Sequence, residues 1–161
     1  MLNYRPITPA DDADVARIIR TNLEKLHLNI PGTAYFDPQL DHLSGFYTAP
    51  GTNRAYFVAL DDAGHVAGGV GVGEFEGFPA CGEIQKLYLS DAAKGKGWGK
   101  ALMLLAEDWA KQAGYQQLYL ETHSNLTTAM GLYEKLGFHE IPRPDCVLHT
   151  TMDHFYLKQL V

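Results

Sequence analysis

The 161-residue chain predicts an α/β fold: a mixed, mostly antiparallel twisted sheet with one β-loop-α-β parallel crossover and helices on both faces. Three observations carry that prediction. In the first half, short alternating apolar runs are separated by turn residues, the pattern of hairpin strands. In the second half, strand patterns alternate with amphipathic helical patterns, which implies a parallel crossover. Between the two lies Lys94-Gly95-Lys96-Gly97-Trp98-Gly99-Lys100, joining a strand pattern to a long helix pattern.

Residues 2–7 read as a short strand. Thr8-Pro9 followed by Ala10, Asp11 and Asp12 is a helix start, with a hydroxyl cap, proline in the first turn and acids near the positive end. Val15, Ile18, Ile19, Leu23 and Leu26 give that helix its apolar face, and residues 29–33 break it with proline and glycine. Residues 38–47 are expected to form a second, shorter helix carrying Leu40, Leu43 and Phe46/Tyr47. Residues 55–60 form a strand, Asp61-Asp62-Ala63-Gly64 a hairpin turn, and residues 66–75 the antiparallel partner. Val70 and Val72 alternate with glycines in that partner, so its glycines read as strand. Gly77 and Pro79 open a turn into a strand over 82–89. The helix over 98–113 carries Trp98, Leu102, Leu105 and Trp109 at helical spacing and stops at Gly114. A strand over 115–122 and a helix over 126–136 closed by Gly137 follow. Sheet segments at 138–141 and 152–160, separated by Pro142 and Pro144, complete the order.

Composition narrows the class. With 46% hydrophobic residues, the chain suits one compact domain over residues 1–161. Its net charge of −6 disfavours nucleic acid as a partner and makes the lysine run a local feature. Cys81 and Cys146 are its only cysteines, outside any Cys-x-x-Cys pattern, which implies neither a disulfide framework nor a zinc site. The amino terminus lacks the basic-then-apolar pattern of a signal peptide, and no apolar run reaches the length of a membrane span. The expectation is a cytoplasmic protein that does not engage a membrane. Seven histidines raise the question of a metal, but no pair has His-x-x-x-His spacing, and His149 and His154 read as solvated or core-edge residues. No metal is expected. His123, just after a strand end, is a candidate to line a substrate pocket, as are Tyr35-Phe36 and Phe46-Tyr47.

The glycine-lysine run has its own chemistry. Glycines at alternate positions uncover backbone N–H groups, lysines add positive charge, and the following helix points its positive end into the same loop. That combination cradles a phosphate-bearing ligand. Spacing excludes two common phosphate loops. A Walker A loop requires Ser or Thr after Gly99-Lys100, where this chain has Ala101. A dinucleotide fingerprint requires Gly-x-Gly-x-x-Gly, where Lys100 occupies the third glycine position.

These motifs resemble the GNAT superfamily of acyl-CoA-dependent N-acetyltransferases. Lys94-Gly95-Lys96-Gly97-Trp98-Gly99 fills that family's Gln/Arg-x-x-Gly-x-Gly/Ala motif, preceded by Glu83-Ile84-Gln85-Lys86-Leu87-Tyr88-Leu89. The later Leu-Tyr-x-Lys-x-Gly-Phe motif is intact as Leu132-Tyr133-Glu134-Lys135-Leu136-Gly137-Phe138, and the opening Tyr4-Arg5-Pro6-Ile7-Thr8 also resembles the family's first strand and turn. The resemblance runs over nearly the whole chain. It departs at Lys94, which replaces Gln or Arg, at Trp98, which replaces a smaller aliphatic residue, and at Asn125, which lies one residue farther from Tyr133 than the family's common asparagine.

The resemblance implies acetyl-CoA as co-substrate, a small-molecule or peptide amine as acceptor, direct attack in a ternary complex, and a monomer or homodimer. Backbone N–H groups of Lys94, Gly95, Lys96, Gly97, Trp98, Gly99 and Lys100 would bind the pyrophosphate, with Asn125 nearby. Leu87, Tyr88 and Leu89 would pair with the pantetheine arm like an added strand, and an N–H there would stabilise a developing oxyanion. Glu83 is the candidate general base, with Glu121 in reserve: an amine with a pKa of about 10.4 is protonated at neutral pH and needs a proton acceptor. Tyr133 is the candidate general acid for the CoA thiolate, although helical periodicity alone makes it a core tyrosine. The alternatives are a non-catalytic acyl-CoA-binding or regulatory module and a nicotinamide-dependent oxidoreductase. The failed glycine spacing argues against the second.

Overall fold

The computed structural model describes residues 2–160. Its sheet contains β1 (Asn3–Pro6), β2 (Ala55–Leu60), β3 (Val66–Phe75), β4 (Cys81–Leu89), β5 (Gln117–Thr122), β6 (His139–Ile141) and β7 (His154–Gln159), in the order β1-β2-β3-β4-β5-β7-β6. All neighbours are antiparallel except β4 and β5, which the glycine-lysine loop and α3 (Trp98–Gln112) connect. The expected β-loop-α-β crossover is therefore present. Strand β7 enters between β5 and β6, a placement that no local pattern in its sequence specifies.

Helices α1 (Asp12–Lys25) and α2 (Leu43–Tyr47) cover one face, and α3 with α4 (Thr127–Lys135) the other. On the first face, Val15, Ile19 and Leu23 of α1 pack with Tyr56 and Val58 of β2. On the second, Leu102, Met103, Ala106 and Ala110 of α3 pack on Val70, Val72, Ile84 and Leu118 of the sheet, with Tyr133 of α4. The apolar faces read from helical spacing are thus the faces buried.

The helix expected over residues 38–47 is shorter. A 3-10 turn at Leu40–His42 precedes α2, whose start is fixed by the Asp12 carboxylate accepting from Ser44 N (2.9 Å) and Oγ (2.7 Å). The helix start at Thr8 likewise opens as a 3-10 turn, Pro9–Asp11, before α1.

Two features of β4 shape the site. It pairs with β5 only over Cys81, Gly82 and Glu83, and beyond Glu83 the strands no longer pair. Opposite β3, the two residues Lys86 and Leu87 face the single residue Val70, a β-bulge in which Lys86 takes a φ of +49°. A bulge bends its strand and re-aims side chains. The Tyr56 hydroxyl holds this one by donating to the Lys86 carbonyl at 2.9 Å. Room for the Tyr47 and Tyr56 rings comes from β3, where a Cβ on Gly71 would lie 2.8 Å from both rings.

Candidate active site

Where β4 and β5 part, a cavity of about 1340 Å³ runs from the glycine-lysine loop to the segment 146–152. Its two ends differ in charge. Lys25, Lys94 and Lys100 line one end, whereas at the other the five carboxylates Asp37, Glu74, Glu76, Glu83 and Glu121 outnumber Arg54, Lys86 and His149.

At the basic end, Gly95 and Gly97 both have a φ of +78°, and nothing lies within 4 Å of a Cβ built on either. The left-handed backbone explains glycine here, and the open space leaves a bound group free to approach the main chain. Gly97 is the N-cap of α3, so the unpaired N–H groups of that helix face the same loop. Lys94, Gly95, Gly97, Gly99 and Lys100 reach the cavity wall, but Lys96 and Trp98 do not. The Lys96 ammonium instead lies 5.3 Å from the Trp98 ring centroid. Lys94 turns its ammonium to Asp91 (3.1 Å), which also pairs with Lys25.

Along the middle, Leu87, Tyr88 and Leu89 line the cavity on the stretch of β4 that β5 leaves unpaired. The Leu89 carbonyl already accepts from Asn22 Nδ2 at 2.9 Å. Asn125 also reaches the wall, with its Nδ2 donating to the Leu26 carbonyl at 2.9 Å, so its amide ties the loop before α4 to the end of α1.

Tyr133 is buried in α4, with edge-to-face contacts to Phe138 (6.4 Å between centroids) and Tyr156 (5.9 Å). The core packing read from periodicity is present, yet the residue also lines the cavity. Its hydroxyl has no hydrogen-bond partner among the described residues, and burial, aided by Tyr156, pushes its pKa up to about 12.

Glu83 opens onto the cavity where β4 and β5 separate. Its Oε1 accepts from Gln85 Nε2 at 2.9 Å, and the Gln85 carbonyl oxygen accepts from the Tyr47 hydroxyl at 2.6 Å, which fixes the amide's direction. Burial, with the Glu121 carboxylate adding to it, raises the Glu83 pKa to about 7, against the opposing effects of Gln85, His149 and Lys86. A base poised near neutrality suits proton abstraction from an ammonium.

Sequence reading missed the groups around it. His149 sits between two carboxylates, with Nε2 2.7 Å from Asp37 Oδ1 and Nδ1 3.0 Å from Glu121 Oε1. Burial alone would lower its pKa, but the bonds to Asp37 and Glu121 outweigh that and raise it to about 9. Lys86, aimed by the bulge, donates to Asp37 Oδ2 at 2.7 Å, and both side chains are nearly buried. The expectations for His123, Tyr35 and Phe36 do not hold. His123 accepts from Asn125 N (3.0 Å), Tyr35 donates to Glu24 (3.0 Å), and none of the three reaches the cavity wall. Of the expected pair Phe46-Tyr47, Phe46 reaches the wall and Tyr47 does not, and His149 reaches it although its spacing gives no sign of that. Among the described residues, no group of three or more His, Cys, Asp or Glu side chains could hold a metal ion. No helix among them is long and apolar enough to cross a membrane.

A parted parallel strand pair, a glycine-rich loop at a helix N-terminus and a polar far end make up the site, and the comparisons place it among acyl-CoA N-acetyltransferases. Residues 21–138 match the acetyltransferase (GNAT) family, and the chain belongs to it. It is 36% identical over 160 residues to YjgM of Escherichia coli K12, an N-acetyltransferase named as uncharacterized, covering 97% of this chain and 93% of that protein. A GNAT-family acetyltransferase from Staphylococcus aureus superposes with a TM-score of 0.84 at 17% identity, with full coverage of both chains. A GNAT phosphinothricin acetyltransferase from Sinorhizobium meliloti, in complex with acetyl-CoA, gives 0.76 at 24% identity, over 98% of this chain and 88% of that one. The reading as a non-catalytic binding module is set aside.

Proposed function

We propose that this protein transfers an acetyl group from acetyl-CoA to a primary amine by direct attack within a ternary complex. The observation that carries the reading is the charge difference along one cavity, with lysines and open glycines at one end and an excess of carboxylates over cations at the other. A phosphate-bearing donor suits the first end and a cationic amine the second.

In this reading the loop from Lys94 through Gly95, Lys96, Gly97, Trp98, Gly99 and Lys100 holds the pyrophosphate with its backbone N–H groups. Gly95, Gly97 and Gly99 line the cavity and carry most of that contact, whereas Lys96 and Trp98 do not reach its wall. The unpaired edge at Leu87, Tyr88 and Leu89 receives the pantetheine amides, and Asn125 stands beside that path. Acetyl-CoA supplies an activated thioester. The chain's own residues manage protons: a Glu83 carboxylate oxygen takes one from the acceptor ammonium, and the Tyr133 hydroxyl donates a hydrogen bond to the sulfur as it departs as thiolate, while the new amide nitrogen sheds its second proton to water. Glu121 is engaged elsewhere, with Oε1 bonded to His149 and Oε2 accepting from Tyr119 at 2.9 Å. This leaves Glu83 the better-placed base.

A panel of primary amines assayed by acetyl-CoA-dependent CoA release tests the proposal. It expects release with at least one amine and a loss on the order of 10² in kcat/KM for Glu83→Gln. An acetyl-CoA-binding protein that releases CoA with no amine, or a full-rate Glu83→Gln enzyme, would overturn it.

A further inference from the structure

The segment 142–153 between β6 and β7 carries His149 to the acidic end of the cavity, where nothing in the roles described above uses it. Each of its ring nitrogens faces a carboxylate oxygen, Asp37 Oδ1 at 2.7 Å and Glu121 Oε1 at 3.0 Å. A neutral imidazole has one N–H and one lone pair, so it would set a lone pair against one of those oxygens. Only the imidazolium donates to both. The partners are themselves fully engaged: Asp37 Oδ2 accepts from Lys86 (2.7 Å) and Glu121 Oε2 from Tyr119 (2.9 Å). Glu83 differs, since Oε1 accepts from Gln85 and Oε2 has no hydrogen-bond partner among the described residues.

We propose that His149 is a positioning residue of this site. As an imidazolium clamped between Asp37 and Glu121, it ties the 142–153 segment across the acceptor end and neutralises Glu121. Of the pair Glu83 and Glu121, Glu83 is thereby left free to take the amine's proton. This rests on the assignment of Glu83 as base.

The surroundings of Glu83 support a role for charge. From β5, Glu121 raises its pKa, while His149 and Lys86 oppose that rise. The neighbouring phenols and thiol stay protonated at neutral pH. Tyr47 on α2 and Tyr119 on β5 are raised by burial, and Cys81 on β4 is pushed up to about 12 by burial and then by Glu83. Asp37 is held low by its bonds to His149 and Lys86, despite burial that would raise it. Of the two cations that oppose the rise, His149 is the one bonded directly to Glu121, so its charge bears on how strongly Glu121 acts on Glu83. Two carboxylates in one pocket with no intervening cation share a proton, and one of them titrates high.

The test compares wild type, His149→Gln and His149→Arg in kcat/KM against pH, and follows the His149 ring by NMR titration of the protein without acetyl-CoA. The wild-type acid limb is expected near pH 7. His149→Gln retains size and polarity but loses the charge. Its limb should move up by about one pH unit, lowering kcat/KM at pH 7 about five-fold with CoA affinity unchanged. His149→Arg should bring the limb back towards wild type. The wild-type ring should titrate near 9. An unmoved limb in His149→Gln, or an imidazole that is neutral at pH 7, overturns the proposal. A neutral ring at pH 7 overturns it even if the variants misfold. Should Glu83→Gln itself leave rate and limb intact, the base assignment falls. Should it abolish the limb while His149→Gln does not move it, only the role of His149 falls.

Discussion

Replacing Tyr133 by phenylalanine removes one oxygen from a ring that packing alone holds in place. The ring keeps its edge-to-face contacts with Phe138 and Tyr156. The hydroxyl has no partner among the described residues, so no hydrogen bond within the protein is lost. Stability should therefore change by no more than about 0.5 kcal/mol. The kinetic effect follows from acidity. Burial sets the hydroxyl's pKa at about 12, whereas a thiol has about 8.5. Complete proton transfer to the thiolate is then uphill by about 3.5 units, or about 5 kcal/mol. The hydroxyl thus acts by donating a hydrogen bond to charge developing on sulfur, and its loss should lower kcat by on the order of 10², the bottom of the general-acid range. Steady-state and single-turnover kinetics over about pH 6 to 10, with melting and CoA binding on the same samples, give the comparison. A Tyr133→Phe enzyme of full rate, with chemistry shown to limit turnover, would refute the reasoning and leave Tyr133 a packing residue.

Two further outcomes are expected. Gly97→Asp should fold with a cost of about 1 kcal/mol from its left-handed backbone, since a Cβ there meets nothing within 4 Å, while its charge lowers CoA affinity more than ten-fold; unchanged affinity by calorimetry would make the loop a surface turn. His149 should make stability pH-dependent. Its folded pKa of about 9 lies above the ordinary 6.5, so its contribution is fully present below pH 6.5 and lost as pH rises through 9. Denaturant melts of wild type and His149→Gln should differ by up to about 3 kcal/mol at pH 6 and converge by about pH 10, and a gap independent of pH would contradict the assignment.

Much of this architecture is legible in local pattern. Val15, Ile19 and Leu23 recur at helical spacing because they are buried on one helix face, and the strand-loop-helix at Gly95 and Gly97 is a local backbone requirement. Glu83 and Tyr133 are found through motifs, and the structure brings both to one cavity. The acceptor end is not legible, for physical reasons. His149 meets Glu121 and Asp37 across 28 and 112 residues of chain, pairings set by where β7 enters the sheet. Lys86 is aimed by a bulge with positive φ on a residue type that gives no sign of it. The bulge depends on Tyr56 and on glycines in β3 that make room for aromatic rings, a contact between strands. The strand end before His123 favours it over His149 as a pocket residue, but its ring accepts from Asn125 N.

An acetyl-CoA site formed by the parted strands and the glycine-lysine loop is tested most directly by differential thermal stabilisation. Acetyl-CoA, CoA, NADH and ATP are each added at equal concentration and the melting temperature is recorded. At ligand a hundred-fold above its dissociation constant, linkage adds about 2.7 kcal/mol, a shift of several degrees for a domain of this size. Stabilisation by acetyl-CoA and CoA, abolished in Gly97→Asp and absent with NADH and ATP, is the predicted result. Stabilisation by NADH with none from CoA would contradict the account.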